Sequence, residues 1–325
     1  MSEIQRVLLT GATGFVGRHV YPELVEAGFD VVSASRNPER AERGQYGRKF
    51  VRLDLEDYAS IVAAMRGCQA AVYLVHSMAG GAGYEEVEAR SARHFARAAE
   101  EAGLLRVVYL GGPRPTGPVF KHLESRLRTG ELLRAGRVPT IELQATMVVG
   151  AGGESWRMVR DLAARLPLMV LPRWLESRSQ PIAIADVAIA IRYALQMDLD
   201  HSATYALPGP ETLSAREILA RTARLLDLDP PMMRVPVITP RLSSYWIALV
   251  TRADPHIARQ LVEGLRSDLT SPDAGFWKLF PAHTRVGFDD AARRALRGEA
   301  QSLPVPARLT EWVLHQLTPR SRHPR

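Results

Sequence analysis

Val7-Leu8-Leu9-Thr10-Gly11-Ala12-Thr13-Gly14-Phe15-Val16-Gly17-Arg18 constrains the fold of this chain more than any other stretch. Ile4 to Leu9 is a short apolar run, the mark of a strand buried on both faces. From Phe15 to Ala27 the apolar residues Val16, Val20, Leu24 and Ala27 recur at helical spacing. Strand, glycine turn and helix in that order build a place for a dinucleotide pyrophosphate. Gly11 lets the chain turn sharply out of the strand, Gly14 lets backbone approach a phosphate with no Cβ between them, and Gly17 lets the helix lie close on the sheet. The phosphates would sit at the helix N-terminus, where unpaired N–H groups and the helix dipole favour anions. The competing reading is a tight strand-to-helix connection that binds nothing.

The order continues. Asp30 to Ala34 is a second apolar strand, Lys49 to Leu53 a third, Ala70 to Val75 a fourth, Arg106 to Leu110 a fifth and Thr140 to Gln144 a sixth. Helical patterns fall between them at Asp57 to Met65, Tyr84 to Ala102 and Phe120 to Ala135, with Val87, Ser91, His94, Phe95 and Ala98 on one side of the second. This alternation predicts an α/β fold with a doubly wound parallel sheet over residues 1–150, and a mixed, mostly helical region over 151–325 that returns partly to the sheet and forms the substrate pocket. In such a sheet the residue ending the second strand lies beside the adenosine ribose, where an arginine accepts a 2′-phosphate. Arg36 stands there, with Arg40 a helical turn on, which favours NADP with NAD as the alternative; a solvated arginine at a strand end is the other reading of Arg36. The glycine-rich loop from His76 to Gly83 and the turn-rich segment from Gly111 to Pro118 follow strand C-termini, where open parallel sheets bind ligands.

Beyond Gly153, Trp156 to Leu166 reads as a helix and Met169 to Leu171 as a strand. Asp186 is expected to cap a helix running to Gln196, and Ser214 another, with Glu217 in capping-box position. Ser243 to Val250 is an apolar helix, to be read as core, dimer surface, pocket lining or a peripheral contact with a bilayer. A last helix over 307–317 precedes a basic tail. Nothing distinguishes a monomer from a homodimer.

Composition narrows the setting. With a single cysteine, Cys68, there is no intramolecular disulfide framework and no cysteine-rich zinc site, no metal is expected, and a cytoplasmic location is the simplest. No apolar stretch approaches the roughly 20 residues of a membrane-spanning helix, and Met1 to Arg6 is too short and polar for a signal peptide. The net charge is +7, carried almost wholly by arginine, since Lys49, Lys121 and Lys278 are the only lysines. A basic balance suits nucleic acid, a membrane surface or an anionic ligand; no basic run is dense enough to choose nucleic acid, and genomic base composition is the other reading of the arginine bias.

The setting Thr-Gly-Ala-Thr-Gly-Phe-Val-Gly, with its Gly-x-x-Gly-x-x-Gly spacing, resembles the extended and atypical branches of the short-chain dehydrogenase/reductase superfamily. The resemblance implies a Rossmann fold holding NAD or NADP, with Gly11, Thr13, Gly14, Phe15, Val16 and Gly17 around the cofactor. It matches Asp54-Leu55 to an acidic-apolar pair near the adenine, although Asp54 also reads as a simple turn cap. It puts Val75, His76 and Ser77 beside the ribose and nicotinamide. Typical members carry Tyr-x-x-x-Lys at the start of the helix after the fifth strand, as proton donor and ribose anchor. This chain has Lys121-His122-Leu123-Glu124-Ser125-Arg126 there, so that His122 and Arg126 occupy the two places one helical turn apart. Histidine exchanges a proton near neutral pH, whereas arginine stays charged and anchors oxygens. The plain alternative is a solvated face with a Glu124–Arg128 ion pair. The missing pair resembles the NmrA-like NAD(P)-binding proteins, some of them reductases and some redox sensors. Two functions therefore stand: an NADP-dependent oxidoreductase acting on a small, fairly apolar carbonyl compound, with His122 as proton donor, Arg126 as anchor and Ser77 as polariser, or a non-catalytic sensor that regulates a protein partner.

Overall fold

The computed structural model describes residues 4–45, 47–76, 83–115, 119, 121–165, 169–172, 176–235, 268–271 and 275–302. The first part alternates β1 (Arg6–Leu9), α1 (Phe15–Glu26), β2 (Asp30–Ser35), α2 (Pro38–Gly44), β3 (Phe50–Arg52), α3 (Tyr58–Met65), β4 (Ala70–Tyr73), α4 (Tyr84–Glu101), β5 (Arg106–Gly111), α5 (Lys121–Arg134) and β6 (Thr140–Gln144). There follow β7 (Val148–Val149), α6 (Glu154–Arg165), β8 (Met169–Pro172), β9 (Arg178–Ser179), β10 (Ile182–Ala183), α7 (Ile184–Gln196), β11 (Ala203–Ala206), β12 (Leu213–Ser214), α8 (Ala215–Leu225), β13 (Met232–Val235), α9 (Gly275–Lys278) and α10 (Phe288–Ser302).

Seven strands form one parallel sheet in the order β11-β6-β5-β4-β1-β2-β3. Alternate residues of β1 serve opposite faces. Val7 and Leu9 join Val20 and Leu24 of α1 and Ile191 of α7 on one side; Leu8 joins Ile61, Tyr73, Phe95 and Ala99 under α3 and α4 on the other. Burial on both faces is why these strands read as continuous apolar runs. Residues beyond 150 contribute directly to this core, because α7 packs on α1 and β11 extends the sheet beside β6. The chain winds toward β2 and β3 on one side of β1 and toward β4 and β5 on the other. A crevice therefore opens at the C-terminal ends of β1 and β4, the topological switch point where open α/β sheets bind ligands. A smaller cluster built on Trp156, Ile218, Phe288 and Ala292 joins α6, α8 and α10.

Three local expectations change. Asp186 does not cap its own helix: the N-cap of α7 is Ala183, with no side-chain bond. Asp186 is instead fully buried and accepts from His283 Nε2 at 2.9 Å and from the Val286 N–H at 2.9 Å, tying the segment ahead of α10 to α7. Arg128 pairs with Glu86 of α4 at 2.8 Å rather than with Glu124. The inward side of α4 is Glu88, Ala89, Ser91, Ala92, Phe95, Ala98 and Ala99, while Val87 and His94 are half-buried. Ser91, Phe95 and Ala98 lie on the expected face, and Glu88 joins it because an apolar pattern does not reveal a buried glutamate. The apolar stretch 243–250 and the helix expected over 307–317 lie outside the described residues. No described helix is long and apolar enough to cross a membrane.

The capping box of α8 forms as expected. The Ser214 hydroxyl accepts from the Glu217 N–H at 3.2 Å, and the Ser214 N–H donates to Glu217 Oε2 at 2.7 Å. Donation to Glu217 Oε2 from the Ser214 N–H, and from the Ser214 hydroxyl at 2.9 Å, holds the Glu217 carboxyl below its ordinary range. Ser214→Ala is expected to lower unfolding stability by about 1 kcal/mol, read as a fall in melting temperature with the fold otherwise intact.

Candidate functional site

The glycine turn lies at the crevice. Gly11 has φ of +61°, a conformation that favours glycine, and a Cβ added there would come 3.0 Å from the Leu74 carbonyl oxygen. Gly17 is the tightest point. A Cβ on it would fall 2.4 Å from the Gly11 oxygen and 2.7 Å from the Ala12 Cα, so no other residue lets α1 seat against the turn. Gly14 is the N-cap of α1 with no side-chain bond, and its N–H is used within the turn, donating to the Gly11 oxygen at 2.9 Å. Thr13 and Gly14 are exposed and Phe15 and Val16 half-buried, and the first-turn N–H groups of α1, as at any helix start, have no intrahelical acceptors. Phe15 packs toward Gly150 and Gly153, where an added Cβ would meet its ring at 3.0 and 2.9 Å.

Thr10 welds the turn to the next strand. Its hydroxyl donates to the Val72 oxygen at 3.0 Å and accepts the Leu74 N–H at 3.1 Å, so the exit of β4 is set by the exit of β1. Along that exit Val75 and His76 are half-buried. His76 Nε2 lies 3.2 Å from the Leu110 oxygen; a carbonyl only accepts, so this nitrogen carries a proton. Arg126 Nη2 donates to the same oxygen at 3.3 Å. Two residues 50 positions apart in sequence thus converge on the end of β5. His122 stands in the first turn of α5, one helical turn before Arg126. Ser77 lies outside the described residues.

Behind this edge is a buried polar layer that sequence reading missed. Tyr109, inside β5, donates its hydroxyl to the Arg126 carbonyl at 2.9 Å, and burial pushes its pKa up to about 12. It holds its proton and serves α5 as a brace, so it does not replace the absent tyrosine of the helix. Ser125 is hydrogen-bonded to the buried Glu88, which locks α4 to α5 between the positions of His122 and Arg126. Glu142 of β6, opposite Tyr109 in the sheet, is paired with Arg134, and Gly111 and Gly130 leave room for its carboxylate.

At the opposite end of the crevice, Arg36 is exposed just after β2, in a turn where the Asn37 N–H donates to Ser35 Oγ at 3.2 Å and Asn37 caps α2. Asp54 Oδ1 accepts the Glu56 N–H at 3.1 Å, the turn-capping arrangement, while Leu55 is packed in the cluster beneath α3. One residue that reaches the glycine turn belongs to no motif, Arg48. Its Nη1 donates to the Ala12 oxygen at 3.3 Å.

Residues 11–135 match the profile of an NAD(P)H-binding family. The auxiliary protein GraX of Staphylococcus aureus is 25% identical over 149 residues, 43% of this chain and 48% of GraX, so the match spans about half of that relative. The (4-alkanoyl-5-oxo-2,5-dihydrofuran-3-yl)methyl phosphate reductase of Streptomyces griseus is 29% identical over 225 residues, 68% of this chain and 73% of the reductase. Among solved structures, the Citrobacter triphenylmethane reductase complexed with NADP(H) superposes with a TM-score of 0.69 at 16% identity, over 89% of this chain and 99% of that one. At that identity the likeness is one of fold.

Proposed function

We propose that this chain, whose residues 11–135 match an NAD(P)H-binding family, is an atypical short-chain dehydrogenase/reductase that acts as an NADP-dependent reductase of a small, fairly apolar carbonyl or related compound. The observation that carries the reading is the convergence of His76 and Arg126 on the Leu110 oxygen, at the edge of the crevice that the glycine turn opens. The residues present fit a dinucleotide: the Gly17 contact leaves no room for a side chain, and the N–H groups at the start of α1, without intrahelical acceptors, suit a pyrophosphate. Gly11, Thr13, Gly14, Phe15, Val16 and Gly17 would hold the phosphates, Arg36 a 2′-phosphate, Asp54 and Leu55 the adenine end, and Val75 and His76 the nicotinamide ribose. The dihydronicotinamide, when bound, supplies a hydride. On the protein's side, Arg126, held by Leu110, anchors ribose oxygens, and His122 delivers a proton to the oxygen or carbon that gains charge. Ser77 is kept as a further polariser of the acceptor. The S. griseus relative and the Citrobacter neighbour, both named as reductases, support this class.

The first test is cofactor choice. Parent protein is expected to bind NADPH more tightly than NADH, and Arg36→Asp to erase or reverse the preference. One charged hydrogen bond, roughly 1.5 to 3 kcal/mol, corresponds to a change of about ten- to a hundredfold in the ratio. Equal affinities in the parent would remove Arg36 from the site. The second test is NADPH consumption against a panel of small quinones, enones and aromatic aldehydes. Tight binding with no turnover across the panel moves the protein to the sensor reading, which the missing Tyr-x-x-x-Lys pair favours.

A further inference from the structure

Arg48 is a buried charge with no ion pair among the described residues. It enters the core from the segment before β3 and is only 7% exposed. Its guanidinium lies over the Tyr21 ring at 3.7 Å from the centroid and 5.0 Å from that of Phe50. Its hydrogen-bond acceptors are all neutral: Ser33 Oγ at 2.7 Å, Gln45 Oε1 at 2.6 Å and the Ala12 carbonyl at 3.3 Å. Nη2 is buried with no partner. Burial pulls the pKa down to about 10, which still leaves the group charged at neutral pH. A guanidinium taken out of water without a carboxylate is costly, and hydrophobic packing alone does not call for one.

The acceptor that links it to the site is Ala12. In a trans peptide the C=O and the following N–H point in opposite directions. The Ala12 oxygen faces the buried Arg48, so the Thr13 N–H is aimed the other way, away from Arg48; Thr13 is exposed and its N–H has no acceptor among the described residues. A cation on the oxygen also polarises the peptide and makes that N–H a stronger donor.

We propose that Arg48 is a positioning residue for phosphate: from beneath the glycine turn it orients and polarises the Ala12–Thr13 peptide toward the pyrophosphate, and its buried positive charge completes the electrostatics of the bound dinucleotide. The inference rests on the cofactor reading above and adds a residue outside every glycine motif. It differs from the role given to Arg36 in one respect that can be measured. Arg36 acts on the 2′-phosphate alone, whereas Arg48 acts on the part that NADPH and NADH share.

The experiment is titration of parent, Arg48→Met and Arg48→Lys with NADPH and with NADH, followed by calorimetry, alongside melting curves without ligand. Arg48→Met keeps the buried stem and removes the charge and the carbonyl bond. It is expected to weaken both nucleotides by the same factor, about ten- to a hundredfold, leaving the NADPH/NADH ratio as in the parent. Arg48→Lys restores a cation without the planar fork and is expected to recover most of the loss for both. If Arg48→Met does not fold, the lysine variant decides, with an equal but smaller loss expected for the two nucleotides. A lowered melting temperature with unchanged affinities overturns the inference and leaves Arg48 a core staple. Weakening of NADPH alone also overturns it, making Arg48 a direct ligand of the 2′-phosphate. A parent protein that binds neither nucleotide overturns the cofactor reading itself, and this inference with it.

Discussion

In a Gly17→Ala protein, affinity for NADPH and NADH is expected to fall together by at least about a hundredfold, because the new Cβ runs into the backbone of the glycine turn. It would sit 2.4 Å from the Gly11 oxygen and 2.7 Å from the Ala12 Cα, distances no side-chain rotation relieves. Either α1 moves away from the sheet or the turn moves out into the crevice. Overpacking of this kind costs about 1 to 3 kcal/mol of stability. The effect on binding is larger, because the N–H groups at the start of α1 lose their common aim, and each charge-assisted bond to a phosphate is worth roughly 1.5 to 3 kcal/mol. Two such bonds lost together already exceed a hundredfold. Melting curves and nucleotide titration separate the two effects, and a folded Gly17→Ala protein with parental affinities would show that phosphates do not sit on this turn.

His122→Ala is expected to leave nucleotide affinity nearly intact and to reduce turnover on a true substrate by about 10²- to 10⁴-fold, the range of a lost general acid. The argument is positional. His122 is in the first turn of α5, and the helix is held there from three sides: by Tyr109 on the Arg126 carbonyl, by Glu88 on Ser125 and by Arg126 on Leu110. So many braces at one end of one helix make sense if that end carries a group whose place matters. Tyr109, at a pKa pushed up to about 12 and bonded inward, is no substitute donor. Because the phosphates are assigned to the glycine turn, Arg36 and Arg48, none of them on α5, a loss confined to kcat identifies a proton-transfer role, and a parallel rise in KM identifies a binding role instead. Full activity in the variant would assign the proton to Ser77, to water or to the acceptor.

What was legible in advance was whatever depends on residues close together in the chain. The strand–turn–helix of residues 6–26 follows from apolar periodicity and three glycines, and the parallel sheet from the repetition of that unit. The Ser214–Glu217 box follows from a four-residue signature. In each case the physics is local: dihedral freedom, side-chain period, capping of orphan N–H groups. Asp186 shows where local reasoning ends. Its place near a helix start suggested a cap, yet its partners are His283 and Val286, about a hundred residues away, and no pattern in the neighbourhood of Asp186 announces them.

The same division runs through the candidate site. Sequence by itself determined the glycine turn, the strand exits that carry Arg36 and His76, and the presence of His122 and Arg126 in place of a tyrosine and a lysine. Only the tertiary structure decided that His76 and Arg126 meet at Leu110, that Thr10 ties two strand ends together, that Glu88 faces inward, and that Arg48 lies under the Ala12 carbonyl. These are polar contacts across elements. A buried polar group is stable wherever the fold happens to bring it a partner, and that partner is set by packing of distant segments rather than by neighbours in the chain. Hydrophobic period therefore reports where the core is, while the charges inside it become visible only once the sheet has closed over them.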